Sequence, residues 1–217
     1  MKKIIISVIS LSLLFGACND DLEEINVLDA QQGLNQLNDL SEVSISDAEN
    51  NALVFMREEE KLARDVYINL FEKWNVKIFS NISRSEQTHM NSILTLMDNF
   101  EIDDPVGSNQ IGVFENTKLQ QLHDDLITLG QSDLESAYKV GAAIEEIDIL
   151  DLQKGLDESI ENEDIRLVFE NLMKGSRNHL RSFVSNLKMI EVDYAPQYMS
   201  LEAYDAIISS SSERGGR

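Results

Sequence analysis

The sequence is short of cysteine, proline and positive charge. Its 217 residues include one cysteine and two prolines, and 39 acidic side chains stand against 18 basic ones. A single cysteine excludes a disulfide within the chain, and two prolines with ten glycines leave long stretches free to form helices. The formal charge of −21 argues against nucleic acid and anionic lipid as direct partners, because like charges repel.

Strand patterns are also scarce, and helix patterns take their place. Alternation with period two is almost absent, whereas apolar residues recur at spacings of three and four. An all-α fold is therefore predicted. The connection between the second and third long helices is much longer than the link between the first two, which predicts a four-helix bundle with a crossover carrying a short extra helix. The expected helices cover residues 46–74, 80–101, 116–129, 132–153 and 162–190, with a short one after Ser200.

Local signals indicate where several helices begin. A serine followed three residues later by glutamate predicts starts at Ser46 and Ser132. The second helix allows two starts, either a cap at Ser80 or Asn81 or a capping box opened by Ser83. In the capping box, the glutamate three residues later would have only a local role.

The first residues have the pattern of an export signal. A basic start precedes an apolar run over residues 4–15 that is too short to span a bilayer, and Gly16 and Ala17 lie before Cys18. This resembles the lipobox of bacterial lipoproteins, with Phe15 where leucine is commoner. The resemblance implies that Cys18 is lipidated and that the exported chain is anchored in a membrane, at the outer membrane or cell surface. An ordinary secretory signal and an uncleaved anchor are the alternatives.

The chain therefore divides into four predicted regions. They are a signal peptide over residues 1–17, a flexible acidic tether over 18–45, the helical bundle over 46–192, and a short helix with a disordered tail over 193–217.

Glu86 and His89 are the most informative pair in the sequence. They lie three residues apart on a helical stripe that is otherwise formed by Ile82, Ile93 and Leu96. A carboxylate and an imidazole on a buried stripe are unfavourable unless each has a partner, and one metal ion would serve both.

The other long helices also carry polar residues on their apolar stripes. Glu60 interrupts the seam of the first helix, with Glu59 as the alternative, and Glu145 and Asp148 lie on the stripe of the third helix. His179 lies among apolar residues of the fourth. Each also has a local explanation. Glu60 could form an exposed pair on its own helix, the two acids of the third helix could belong to a solvated face, and the histidine could be hydrogen-bonded in the core.

Two further residues have weaker signals. His123, beside two aspartates, is predicted to be exposed among acids. Tyr67, one heptad from Glu60, is either a donor to the polar cluster or simply part of the core.

Taken together, four helices supply four carboxylates and two imidazoles to the predicted core. Four carboxylates neutralise two divalent ions, and this is the inventory of di-iron and di-manganese carboxylate bundles. One difference is that Ser176 occupies the place of a second Glu-x-x-His glutamate, while Asp148 is an additional acid. Two iron ions are predicted, with manganese, zinc or a single ion as alternatives. The predicted ligands are Glu60, Glu86, His89, Glu145, Asp148 and His179.

Several stretches of the chain resemble the ferritin-like family named domain of unknown function 2202. They are residues 56–67, 79–82 with 85–90, 144–149 and 175–180. The resemblance covers about residues 52–190. It implies a ferritin-like four-helix bundle and no established activity.

Three functions fit this sequence. The first is a redox enzyme whose di-iron centre uses dioxygen or peroxide to oxidise ferrous ion or another reductant. The second is a lipid-anchored protein that binds metal without turnover. The third is an interaction module, which could form homo-oligomers and whose acids pair with arginines instead of metal. The arginines available for that are Arg64, Arg84, Arg177 and Arg181.

Overall fold

The computed structural model describes residues 45–214, and every regular element within them is an α-helix. The all-α prediction is therefore confirmed for this part of the chain. The predicted signal peptide, Cys18 and all but the last residue of the predicted tether lie outside the described residues. None of the described helices is long and apolar enough to span a bilayer. The helices are α1 (Asp47–Trp74), α2 (Lys77–Asn99), α3 (Thr117–Gly130), α4 (Leu134–Glu158), α5 (Glu163–Met189) and α6 (Leu201–Ser209).

The four long helices pack as a bundle. Helix α1 packs along α2 and also contacts α4, and α5 packs along α4 and also contacts α2. The order around the bundle is therefore α1, α2, α5, α4. The short α3 covers α1 and α4, and α6 lies on α5. The largest fully buried apolar and aromatic side chains include Tyr67, Phe79, Phe169 and Phe183.

The hairpin of α1 and α2 depends on its ends. Ser46 caps α1 through a capping box, as predicted. Asn75 follows α1 with a φ of 53°, a left-handed conformation that asparagine tolerates, so the chain turns back at once. Helix α2 begins at Lys77 without a side-chain cap, so the predicted starts further along the chain are wrong. Val76 and Ile78 pack against the core here, and this apolar contact fixes the helix start in place of a polar cap.

Other helix ends also differ from the predictions. Asp133, not Ser132, caps α4 by accepting a hydrogen bond from the Ser136 N–H group at 2.7 Å. Helix α4 ends at Glu158, about a turn later than expected. After α6, Glu213 pairs with Arg177 and Arg181 on α5.

His123 is buried, so the prediction that it is exposed is wrong. Its ring packs 5.3 Å from that of Phe114, and its Nδ1 lies 3.0 Å from Asp124 Oδ1. Gly112, with a φ of 77°, brings the backbone against this ring, where a Cβ atom would lie 2.9 Å from the imidazole. The loop before α3 therefore folds over the histidine.

Three buried glutamates hold loops in place. Glu49 accepts hydrogen bonds from two backbone N–H groups at the start of α5, at 3.0 and 2.7 Å. Glu58 does the same just before α3, at 2.6 and 3.0 Å. Glu146 accepts three from the loop before α6. These interactions fix the crossover and the C-terminal segment against the bundle.

Replacing Glu146 by alanine is expected to destabilise the fold by about 3 kcal/mol, because four buried or part-buried donors lose their acceptor at once. These donors are the N–H groups of residues 197–199, at 2.7 to 3.0 Å, and the Tyr194 hydroxyl, at 2.6 Å. Urea denaturation followed by circular dichroism measures the loss. Glu135→Ala, an exposed α4 position, is the control and should change stability by less than about 0.5 kcal/mol. Equal stabilities of the two variants would contradict the role of Glu146.

Candidate metal centre

Two groups of carboxylates and imidazoles meet in the middle of the bundle. In the first, His89 Nδ1 lies 2.7 Å from Glu86 Oε2 and 3.1 Å from Glu60 Oε2. In the second, His179 Nδ1 lies 2.9 Å from Glu86 Oε1 and 3.4 Å from Glu145 Oε2. Each group brings three potential ligand atoms within 4.8 Å of one another.

Glu86 belongs to both groups, and each of its oxygens faces a different imidazole. The two imidazole rings are stacked with their centroids 5.6 Å apart. Glu60 and Glu145 complete the two groups from two neighbouring helices, α1 and α4. The arrangement is therefore a pair of similar sites that share one carboxylate.

The site is almost closed to solvent. The side chains of Glu60, Glu86 and Glu145 are at most 2% exposed, while the imidazoles of His89 and His179 are 12% and 11% exposed. Glu145 and Asp148, the predicted ligands on α4, are thus buried, which excludes a solvated acidic face at these two positions. Leu150, an apolar residue of the same helix, is 39% exposed.

Two hydroxyl groups orient the potential ligands. The Tyr67 hydroxyl donates to Glu145 Oε1 at 2.5 Å and lies 3.2 Å from the Gly141 carbonyl oxygen. The Ser85 hydroxyl lies 3.1 Å from His179 Nε2, on the opposite side of the ring from Glu86. Such contacts fix the ring and the carboxylate in place. Tyr67 is therefore both a core residue and a donor to the cluster.

Some buried atoms of the cluster have no hydrogen-bond partner among the described residues. They include Glu60 Oε1, Glu86 Oε1 and His179 Nδ1. The last two are 2.9 Å apart but are not aligned as a hydrogen bond. Buried polar atoms are nearly always satisfied in native proteins, so these atoms need a further partner.

The acids and imidazoles shift each other's pKa values. Burial raises the pKa of Glu60 to about 7, although the nearby His89 acts in the opposite direction. Burial also acts to raise the pKa of Glu86, but the charges of His179 and His89 outweigh it and hold that pKa well below its ordinary value. Burial acts to lower the pKa of His179, yet Glu86 and Glu145 raise it to about 10.

None of the four arginines that could replace a metal pairs with the cluster. Arg64 bonds to Asp65 and Gln87, and Arg84 bonds to Asn81. The remaining two arginines, on α5, bond to Glu213 in the C-terminal segment. The imidazoles are therefore the cations that contact these carboxylates in the described part of the chain, and they are fewer than the acids.

Asp148 and Glu59 lie next to the cluster but outside both groups. Asp148 Oδ2 accepts a hydrogen bond from the Ser176 hydroxyl, and its Oδ1 has no hydrogen-bond partner. Glu59 is buried with neither oxygen hydrogen-bonded, and its main charged neighbours are acids. The structure thus brings together five of the six predicted ligands and places Glu60, not Glu59, in the cluster.

Known proteins resemble this chain along most of its length. The family described as an uncharacterized protein domain, DUF2202, matches residues 49–211. The uncharacterized protein MJ0754 of Methanocaldococcus jannaschii is 50% identical over 182 residues, which cover 84% of this chain and 98% of that protein. The crystal structure of hypothetical protein MJ0754 from Methanococcus jannaschii matches with a TM-score of 0.77 and 50% identity, covering 79% of this chain and 98% of that one.

Proposed function

We propose a function for this chain, which belongs to the DUF2202 family: it binds two iron ions in the core of its bundle and carries out oxidoreductase chemistry with dioxygen or peroxide. The observation that carries the proposal is Glu86, whose two buried oxygens each face a different imidazole. One ion would be held by Glu60, Glu86 and His89, and the other by Glu86, Glu145 and His179. We assign the bundle to the ferritin-like architecture on the same grounds.

The donor set fits divalent transition metals. Nitrogen and oxygen donors suit iron, manganese and zinc, whereas magnesium and calcium prefer oxygen alone. The three carboxylates and two imidazoles of the two groups supply both kinds of donor, and the shared Glu86 contributes one oxygen to each group. The buried atoms that have no hydrogen-bond partner would become metal ligands, so binding would remove their unfavourable burial.

Each group supplies only three protein ligands, which would leave coordination positions open on a bound ion. Open positions favour redox chemistry with a small oxidant over simple binding. Bound iron would supply the electrons that reduce dioxygen or peroxide. The residues of the chain prepare the site: Ser85 and Tyr67 orient His179 and Glu145, and the closed bundle keeps water away. The slightly exposed edges of the two imidazoles mark the side from which a small oxidant could approach.

Metal content and oxygen uptake test this proposal. The full chain, purified in detergent, is loaded with ferrous ion without oxygen, desalted and measured by elemental mass spectrometry. We expect about two irons per chain in the parent, far fewer in the double variant Glu86→Ala, His89→Ala, and about two in Glu72→Ala, an exposed α1 position. Oxygen consumption by the loaded parent distinguishes an enzyme from a protein that only binds metal. If the parent and the variants are all helical and all free of metal, both the enzyme and the protein that only binds metal are contradicted.

Replacing Gly175 by alanine is expected to remove one of the two ions while the fold remains intact. A Cβ atom at this position of α5 would lie 2.7 Å from Cε1 and Nε2 of His89, so the imidazole must move. Alanine is otherwise favourable in a helix. Iron per chain is the measurement, with Gly155→Ala as the control, because there the nearest atom would lie 3.2 Å away and belongs to Phe169. Unchanged iron in Gly175→Ala would contradict the ligand role of His89.

We also propose that lipid on Cys18 anchors the protein to a bacterial membrane, at the outer membrane or cell surface. The support is the amino-terminal sequence alone. Cys18→Ser is expected to move the protein from the membrane fraction to the soluble fraction, as followed by immunoblotting of both fractions. Retention of the variant in the membrane would favour the uncleaved anchor.

A further inference from the structure

A second pair of buried acids lies beside the candidate metal centre, where α1, α3 and α4 meet. Glu59 from α1 and Asp148 from α4 line a small cavity of about 10 Å³, which has room for about one water molecule or one ion. Leu122 on α3 and Ile147 on α4 belong to its otherwise apolar wall. Glu59 and Asp148 are the acids among the residues that line this cavity.

Each of the two acids has at least one buried oxygen that accepts no hydrogen bond from the described residues. Glu59 is only 5% exposed, it accepts no hydrogen bond from an N–H or O–H donor of the described residues, and the side chain at hydrogen-bonding distance is another acid, Asp151. Asp148 Oδ1 is likewise buried without a hydrogen bond. Carboxylates buried without donors are strongly unfavourable, and two of them close together add repulsion.

The surrounding charges make a cation the suitable partner. The charged neighbours that raise the pKa of Glu59 are Asp148, Asp151 and Glu60, and all of them are acids. The nearest candidates among the bases of α1 are engaged elsewhere, since Arg64 and the buried Lys61 both pair with Asp65. A divalent cation would satisfy the free oxygens and cancel the repulsion together.

The position of these acids suggests a route as well as a site. Glu145, Asp148 and Asp151 follow one another at intervals of three on α4, which corresponds to about 4.5 Å along the helix for each step. The first two are buried and the third is half-buried. The carboxylates of α4 therefore lead from the surface to the candidate centre, and the cavity lies at the middle of this series.

We propose that Glu59 and Asp148 bind a third divalent cation, separate from the two-ion centre, and that cations reach it past Asp151. This assignment explains together why Asp148 lies outside both groups and why Glu59 is buried without a donor. The onward route into the centre rests on the proposed function, whereas the third site does not.

Equilibrium dialysis of the full, metal-free chain in detergent against Co²⁺ tests the third site, because dialysis at equilibrium also counts an ion held by only two carboxylates, which desalting would remove. We expect about three cobalt ions per chain in the parent and in Glu72→Gln, and about two in Glu59→Gln. Equal numbers in the parent and Glu59→Gln would overturn the third site. The double variant Glu86→Ala, His89→Ala separates the two proposals, because it should lose the central ions and keep the one that Glu59 binds. A parent with one ion that only Glu59→Gln loses would contradict the two-ion centre and support the third site.

A second variant tests the route and covers the case in which Glu59→Gln does not fold. Asp151 lies at the half-buried end of the series, so the fold should tolerate the loss of one charge in Asp151→Asn. We expect its rate of Co²⁺ uptake, followed by stopped-flow absorbance, to fall on the order of tenfold while the final number of ions stays the same. Uptake as fast as in the parent would overturn the route past Asp151.

Discussion

Replacing Glu86 alone by alanine is expected to remove both metal ions. One oxygen of this side chain lies 2.7 Å from His89 Nδ1, and the other lies 2.9 Å from His179 Nδ1, so its loss takes one ligand from each of the two groups. By contrast, Glu60 and Glu145 each belong to one group. Iron per chain after anaerobic loading and desalting should therefore fall from about two to nearly zero in Glu86→Ala, and to about one in Glu60→Ala or Glu145→Ala.

Two comparisons make this result specific to the shared carboxylate. Glu72→Ala removes an acid of the same type from the exposed side of α1 and should retain both ions. Circular dichroism of each metal-free variant shows whether the helices persist, because a side chain facing two imidazoles contributes to stability without metal as well. A Glu86→Ala protein that keeps one firmly bound iron would contradict a centre built around a shared ligand.

The sequence could predict which polar side chains meet in the core because helical spacing converts position into direction. Residues three and four apart share a face, so Glu86 with His89, and Glu145 with the stripe of α4, could be placed in the core without coordinates. Spacing alone does not fix the rotation of one helix against another. Glu59 and Glu60 therefore stayed alternatives until the structure placed Glu60 within 3.1 Å of His89.

The length of a side chain and its local bonds were harder to predict. Asp148 lies on the predicted inward stripe and is buried, yet it bonds to Ser176 and lies outside both groups. Its arm is one methylene shorter than that of glutamate. The sequence showed the serine in the place of a glutamate, and the structure shows that the two residues interact with each other.

The buried glutamates that hold loops had no signal in the sequence. Glu49, Glu58 and Glu146 accept hydrogen bonds from backbone N–H groups, and every residue except proline carries such a group. Nothing in the residue pattern shows which loop folds against which helix. For the same reason the burial of His123 could not be predicted, because the loop that buries it precedes its own helix. Most acids of proteins are found at the surface, so the residue type gives no sign of burial.

The metal-free protein is expected to become less stable as the pH rises from 5 to 8. Burial raises the pKa of Glu60 from 4.5 to about 7, so the folded state binds this proton more tightly than the unfolded chain does. The resulting stability is complete below pH 4.5 and is lost as the pH rises through 7. The pKa of His179, raised from 6.5 to about 10, acts in the same direction above pH 6.5. Glu86 acts in the opposite direction only below pH 4.5, since its pKa is lowered.

Metal should reverse this dependence, because ions bind the deprotonated carboxylates and neutral imidazoles. For Glu60 alone, the effect on the metal-free protein is on the order of 3 kcal/mol, which corresponds to a fall in Tm of about 10 °C. Thermal unfolding at pH 5, 6, 7 and 8, in EDTA and with Mn²⁺, measures both dependences. Glu60→Gln should flatten the curve in EDTA, and the double variant Glu86→Ala, His89→Ala should respond to Mn²⁺ much less than the parent does. A metal-free parent that gains stability over this pH range would show that these buried acids keep their charges without a metal, and it would remove the main physical reason for placing ions among them.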